Sequence, residues 1–227
     1  MRLQVFDLIE ETLQLLAKNN AFYHEAENEI NSIIRSLFHE HSEVFIDLSS
    51  RVKSKESLRE KIIRNRFYKE CQNAQDILDQ LSDLIGVTIE CRFIEEEYKA
   101  LLWLRKQLTQ QDEQGFYTCD AYPMLHLDLA SHQPQLQKNG FSIYRIDGFY
   151  EKDDQKINFE LQIKALVHAF WGEIEHKLVY KNTNYYVYDS FMKDLLASIN
   201  AQLTITNRQL SIVYQQMQEL SLSDSGL

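Results

Sequence analysis

The sequence predicts an α+β fold, a mixed β-sheet with helices packed against it, and three observations carry that expectation. Ile85, Val87, Ile89, Cys91 and Phe93 alternate with Gly86, Thr88, Glu90 and Arg92, the period of a strand with one apolar face. A second alternation sets Ile157, Phe159, Leu161 and Ile163 against Asn158, Glu160, Gln162 and Lys164. Around these strands lie long stretches whose apolar residues fall at helical spacing.

In chain order, residues 1 to 48 contain neither Gly nor Pro, and Ile30, Ile33, Ile34, Leu37 and Phe38 sit near helical spacing, which predicts two helices. The basic segment from Arg51 to Lys69 is expected to be largely helical as well. Residues 95 to 108 return to helical character after the first strand. Both prolines, Pro123 and Pro134, fall between residues 115 and 140 with Gly115 and Gly140, making this the loopiest part of the chain. The stretch from Phe141 to Tyr150 is expected to pair with the second strand as a hairpin, with Lys152, Asp153 and Asp154 near its turn. In the C-terminal third, Leu196, Ile199, Leu203, Thr206, Leu210, Val213, Met217 and Leu220 follow three-four spacing. Such a seam wants a partner helix, either the N-terminal helices or a second subunit. The resulting division is residues 1–48 as N-terminal helices, 49–181 as a core and 182–227 as a helical extension, one compact domain overall.

With 227 residues, 44% of them hydrophobic, the chain can bury a substantial core. Cys71, Cys91 and Cys119 form no C-x-x-C pair and no zinc-binding set, and are expected to be reduced thiols of a cytoplasmic protein. The first residues carry acids where a signal peptide is apolar, and no run approaches the roughly 18 apolar residues of a membrane span. A net charge of -10 argues against a general nucleic-acid binder. Between Arg51 and Lys69, however, eight Lys/Arg face only Glu56 and Glu60, a local charge of +6. A compact basic island on an acidic protein suits a small polyanion, although a solvated helix face has the same composition.

Neither G-x-x-x-x-G-K-[ST] nor G-x-G-x-x-G occurs, so a nucleotide would have to be held by side chains. There is no H-E-x-x-H and no nucleophile elbow. Two acids stand out instead. Asp83 immediately precedes the strand LIGVTI, and Glu160 projects from the polar face of INFELQI. On neighbouring strands they could hold Mg²⁺ against a triphosphate. The plainer reading makes Asp83 a helix-ending residue and Glu160 a solvent-facing one.

Five short motifs in order make the chain resemble the synthetase domain of RelA/SpoT-type alarmone enzymes, in its small stand-alone form. RVKSKESLREKI resembles that family's basic signature, and SDLIGVTI its D-[LI]-x-G strand. KNGF resembles N-G-Y, FELQIKA resembles E-x-Q-I-R-T, and FWGEIEHKLVYK resembles the W-x-x-x-E-H-K helix. The resemblance spans about residues 50 to 181 and implies a nucleotidyltransferase-like domain that moves the β,γ-pyrophosphate of ATP to the 3′-hydroxyl of GDP or GTP. By it, Asp83 and Glu160 are the catalytic and Mg²⁺-holding acids. Arg51, Lys53, Ser57 and Lys61 contact ATP. Arg92 stands in for the arginine that Thr88 replaces. Lys138, Asn139, Phe141, Tyr144 and Gln162 surround the guanine nucleotide, with Phe141 stacking on the base. The G-Y-x-S-x-H stretch reads GFSIYR here, which puts Tyr144 or Arg145 at the histidine. Homo-oligomers through terminal helices are expected as well. Two other readings stay open: a nucleotide-binding homologue without turnover, and transfer to another acceptor such as a tRNA end.

Overall fold

The computed structural model describes residues 2–40, 46–136, 142–175 and 190–224. Two helices open the chain, α1 (Arg2–Lys18) and α2 (Asn20–Leu37). Strand β1 (Asp47–Val52) follows, then α3 (Lys55–Asn65), a 3-10 turn at Phe67–Lys69, and α4 (Ala74–Gln80). Strand β2 (Ile85–Cys91) leads into α5 (Ile94–Gln107). Four short strands come next, β3 (Gln110–Gln111), β4 (Tyr117–Thr118), β5 (Leu125–Leu127) and β6 (Gln135–Leu136). The hairpin β7 (Ser142–Lys152) and β8 (Gln155–Ala165) then precedes α6 (Leu166–Glu175) and α7 (Ser190–Asp224).

The sheet runs β1-β2-β8-β7-β5-β4-β3, with β6 paired to β7 off this path. β2 and β8 are parallel and the other pairs antiparallel, so the sheet is mixed as expected. Asp153 and Asp154 both take positive φ, 49° and 60°, making the two-residue turn whose twist matches a tight hairpin. That turn sets Lys152 opposite Gln155 and thereby the whole register of β7 against β8. One face of the sheet carries Val87, Ile89, Leu161, Ile163 and Ile146, all buried, beneath α2 and α5. Trp103 of α5 ties the two helices together by donating to the Leu37 carbonyl at 2.6 Å.

The basic segment is largely helical, as expected, through α3 and the 3-10 turn, but its first residues Arg51 and Val52 close β1, which pairs antiparallel with β2. The helix starts at Lys55, where Ser54 caps it by accepting from the Ser57 N–H at 3.2 Å. One expectation is corrected. The C-terminal helix packs mainly on α5 and α6, not on the N-terminal pair. Asn207, Ser211 and Tyr214 lie on that contact with the half-buried Leu196 and Leu203, whereas the later seam residues Leu210, Val213 and Met217 stay exposed. Asn207 Oδ1 accepts from the Ile94 N–H at 3.1 Å, capping the start of α5 from another helix. Cys71, Cys91 and Cys119 are free; burial pushes the Cys71 and Cys91 thiols up, so neither is a ready nucleophile.

Candidate active site

The opposite face of the sheet is polar, and its strand register sorts the polar residues into rows. Arg51, Gly86, Glu160 and Asp147 lie across β1, β2, β8 and β7 in one row. Ser49, Thr88, Gln162 and Arg145 form the next, and Asp47, Glu90 and Lys164 a third. A pocket of about 390 Å³ opens over these rows, bounded by Arg51, Lys53, Ser57, Asp83, Glu160 and Gln162 among others. Gly86 is its bare floor: a methyl added there would meet Arg51 Cγ at 3.8 Å, an ordinary contact.

β1 is an edge strand, and α2 holds it by a row of side chains at four-residue spacing. Ser50 Oγ donates to Glu27 Oε1 at 2.5 Å, Asn31 Nδ2 donates to Ser50 Oγ at 2.5 Å, and Arg35 donates to the Leu48 carbonyl at 3.0 Å. These bonds lie behind the sheet and aim Ser49 and Arg51 into the pocket. The N-terminus of α3, at Ser54 and Ser57, forms one wall and brings the partial positive charge of its first turn with it.

Asp83 sits between two lysines. Lys53 Nζ lies 2.7 Å from Oδ2, and Lys61 Nζ approaches Oδ1 to 2.8 Å as an ion pair. Burial pushes the Asp83 carboxyl up, but the Lys53 and Lys61 contacts outweigh it and hold the carboxyl below its ordinary range. A depressed carboxyl contributes stability at neutral pH that is lost as pH falls through its folded value. Asp83→Asn should therefore cost about 2 kcal/mol at pH 7. In thermal melts the gap between variant and wild type should shrink below about pH 4, as the wild-type carboxyl protonates. A gap equally wide at pH 3 would remove this assignment.

Glu160 is 7% exposed and has both oxygens engaged. Gln162 donates to Oε1, and Arg145 Nε lies 2.7 Å from Oε2. Lys164 completes the polar row of β8 by donating to Gln162 Oε1 at 3.2 Å. Burial pushes the Lys164 ammonium down, Arg51 adds to this, and Glu90 and Glu160 oppose it. On β7, burial pushes the Asp147 carboxyl up, against the nearby Arg145 and Lys61 and together with Glu160 and Asp128.

Of the residues singled out in the sequence, the pocket brings together Arg51, Lys53, Ser57, Asp83, Glu160 and Gln162, with Lys61 behind Asp83. Tyr144 does not join them. It pairs with Ile163 on the apolar face and packs against the core, because alternation along β7 sends Arg145 and not Tyr144 to the polar side. Arg92 is also elsewhere. β2 ends at Cys91, and the Arg92 guanidinium lies over the Tyr214 ring with a 2.6 Å bond to its hydroxyl, anchoring α7. Lys138, Asn139 and Phe141 lie outside the described residues. The sequence reading passed over Asp147 and left Arg145 as one of two options; the hairpin register was the signal that identifies both.

The sequence profile of the family described as "Region found in RelA / SpoT proteins" matches residues 50–185. The chain is similar to GTP pyrophosphokinase YwaC of Bacillus subtilis (strain 168), at 25% identity over 150 residues, 66% of this chain and 64% of that protein. It is also similar to GTP pyrophosphokinase YjbM of the same organism, at 26% over 110 residues, 46% of this chain and 44% of that one. The chain thus spans less than two thirds of the length of both curated relatives. In fold it is similar to small alarmone synthetase 1 from Bacillus subtilis bound to its product pppGpp. The TM-score is 0.66 at 17% identity, covering 91% of this chain and 99% of that one.

Proposed function

This chain belongs to the family of the region found in RelA / SpoT proteins, and on that premise we propose that it transfers the β,γ-pyrophosphate of ATP to the 3′-hydroxyl of GDP or GTP. The observation that carries the reading is the single pocket bounded by Asp83 and Glu160 together with Arg51, Lys53, Lys164 and the N-terminus of α3. Two relatives named GTP pyrophosphokinase support it. Residues 49–181 are the synthetase core in this reading, and the flanking segments are its helical supports.

The residues suit Mg²⁺. Among the described residues no three His, Cys, Asp or Glu converge, so Asp83 and Glu160 would supply the protein's share and phosphate oxygens and water the rest, the usual division for this ion. Bound there, Mg²⁺ would neutralise charge on the triphosphate and on the departing AMP. The chain's own work is positioning and charge. Arg51, Lys53 and Lys164 hold the triphosphate with the α3 N-terminus, and Lys61 braces Asp83. Gln162 orients Glu160, and Glu160 accepts the proton of the attacking 3′-hydroxyl. The new bond joins that oxygen to the β-phosphorus as the bond to the AMP oxygen breaks. Lys138, Asn139 and Phe141 serve the guanine nucleotide. The nucleotide substrates and the buried free thiols Cys71 and Cys91 support a cytoplasmic location.

The test is incubation with Mg²⁺, γ-labelled ATP and either GDP or GTP, with products separated by chromatography. Labelled guanosine tetra- or pentaphosphate is expected. Nucleotide binding without product would replace this reading with a binding module, and label on tRNA instead of GDP or GTP would redirect it to another acceptor.

The uncovered seam of α7 is assigned to a second copy of the chain. Leu210, Val213 and Met217 are 56%, 51% and 65% exposed at coiled-coil spacing. Leu210→Glu with Met217→Glu should turn an oligomer into a monomer by light scattering. An unchanged mass would move the interface elsewhere.

A further inference from the structure

Arg145 is held more tightly than a surface arginine needs to be. Along its outer edge, β7 is paired by β6 at Ser142 and Ile143 and by β5 at Gly148 to Tyr150. Between those segments the Gln133 side chain takes the place of a strand: its Oε1 accepts from the Arg145 N–H at 3.0 Å and its Nε2 donates to the Arg145 carbonyl at 2.5 Å. Gln135 Nε2 donates to the same carbonyl at 3.0 Å. Two glutamine side chains thus fix one backbone unit. The side chain it carries then crosses β7 to β8. Arg145 Nε sits 2.7 Å from Glu160 Oε2, with one terminal nitrogen 3.4 Å from Ser82 Oγ and 3.7 Å from Asp147 Oδ1.

The consequence concerns Glu160. With Gln162 on Oε1 and Arg145 on Oε2, the carboxylate is both oriented and neutralised before any ligand arrives. The guanidinium keeps its charge, and its Nε holds one carboxylate oxygen while a terminal nitrogen reaches Ser82 and Asp147. A divalent cation reaching Glu160 has to compete with it. The guanidinium is one-third exposed and stands beside the pocket, so it has room to swing off the carboxylate once Glu160 is taken.

We propose that Arg145 is a positioning residue for Glu160, a built-in counter-ion that a Mg²⁺–triphosphate displaces from the carboxylate, and that Gln133 sets its place through the backbone. This rests on the role given above to Glu160 in pyrophosphate transfer. It is carried by the 2.7 Å contact and by the glutamine grip on Arg145, neither of which the transfer chemistry itself requires.

The test titrates Mn²⁺, as a spectroscopic stand-in for Mg²⁺, into the full-length nucleotide-free protein and reads free Mn²⁺ by electron paramagnetic resonance. Arg145→Met should bind Mn²⁺ about fivefold more tightly than wild type, equivalent to ~1 kcal/mol, because the competitor is gone. In the transfer assay the same variant should lose about a hundredfold in kcat while its KM for ATP moves less than about threefold. A merely structural lesion would weaken Mn²⁺ binding along with activity, so the opposite signs are diagnostic. Gln133→Ala, which removes no charge, should shift Mn²⁺ affinity in the same direction by about twofold. Should Arg145→Met fail to fold, Arg145→Lys, with its charge kept and its fork lost, carries the same sign at smaller size. Equal or weaker Mn²⁺ binding in the folded Arg145 variants overturns the proposal even where turnover is intact. A wild-type protein that makes no product overturns the transfer reading while the Mn²⁺ comparison still decides the role of Arg145.

Discussion

Replacing Glu160 by glutamine should lower kcat for pyrophosphate transfer by about a thousandfold and leave ATP affinity within about threefold of wild type. The substitution keeps the shape of a side chain that is nearly fully buried between Gln162 and Arg145, so packing gives no reason for a loss. What disappears is the charge, the proton acceptor and one of the two acids assigned to Mg²⁺, of which Asp83 remains. ATP affinity is expected to survive because the cations that hold the triphosphate, Arg51, Lys53 and Lys164, come from β1, the turn into α3 and the far end of β8. Initial rates and calorimetry on the same preparations measure both quantities. A variant retaining a tenth of the activity would show that Glu160 is only part of the wall.

The largest effect on stability is expected at Gly148. A Cβ built there would lie 2.5 Å from the His126 carbonyl oxygen, 2.8 Å from Leu127 Cδ2 and 2.9 Å from Phe159 Cζ. The first of these is backbone of the paired strand β5 and cannot rotate away. Gly148→Ala should therefore cost about 3 kcal/mol by forcing β5 off β7, a fall of roughly 9 °C in Tm for a chain of this size. The site would suffer with it, because β5 leads into the segment bearing Gln133 and Gln135. A melt within 2 °C of wild type would mean that the sheet yields there more easily than its spacing implies.

Much of this was legible in the sequence, and the reasons differ by element. β2 and β8 announce themselves because both are central strands whose apolar residues alternate strictly. Asp83 and Glu160 were legible because each stands at a fixed place on one of those strands. β1 was hidden: in Asp47–Val52 only Leu48 and Val52 are apolar, Ser50 breaking the alternation, and the segment runs into a lysine-rich stretch, so composition pointed to a helix face where pairing with β2 makes an edge strand. Arg92 was misplaced because alternation was continued through Phe93, two residues past the end of β2, where the chain turns into α5. Tyr144 was misplaced for the converse reason. Counting back from the Asp153–Asp154 turn puts Arg145 opposite Gln162 and Asp147 opposite Glu160, but that count requires knowing that the turn holds two residues. The docked face of α7 was only partly legible: Leu196 and Leu203 of the seam are half-buried on it, but polar Asn207 and Ser211 continue that face while Leu210, Val213 and Met217 stay exposed.

The most direct test of pyrophosphate transfer is the stoichiometry of nucleotide products when the protein, Mg²⁺, ATP and GDP react, followed by anion-exchange chromatography with phosphorus NMR of the guanine product. AMP and a guanosine 3′-pyrophosphate appearing in equal amounts is the predicted result. ADP in place of AMP, or AMP released without a modified guanine nucleotide, would contradict it.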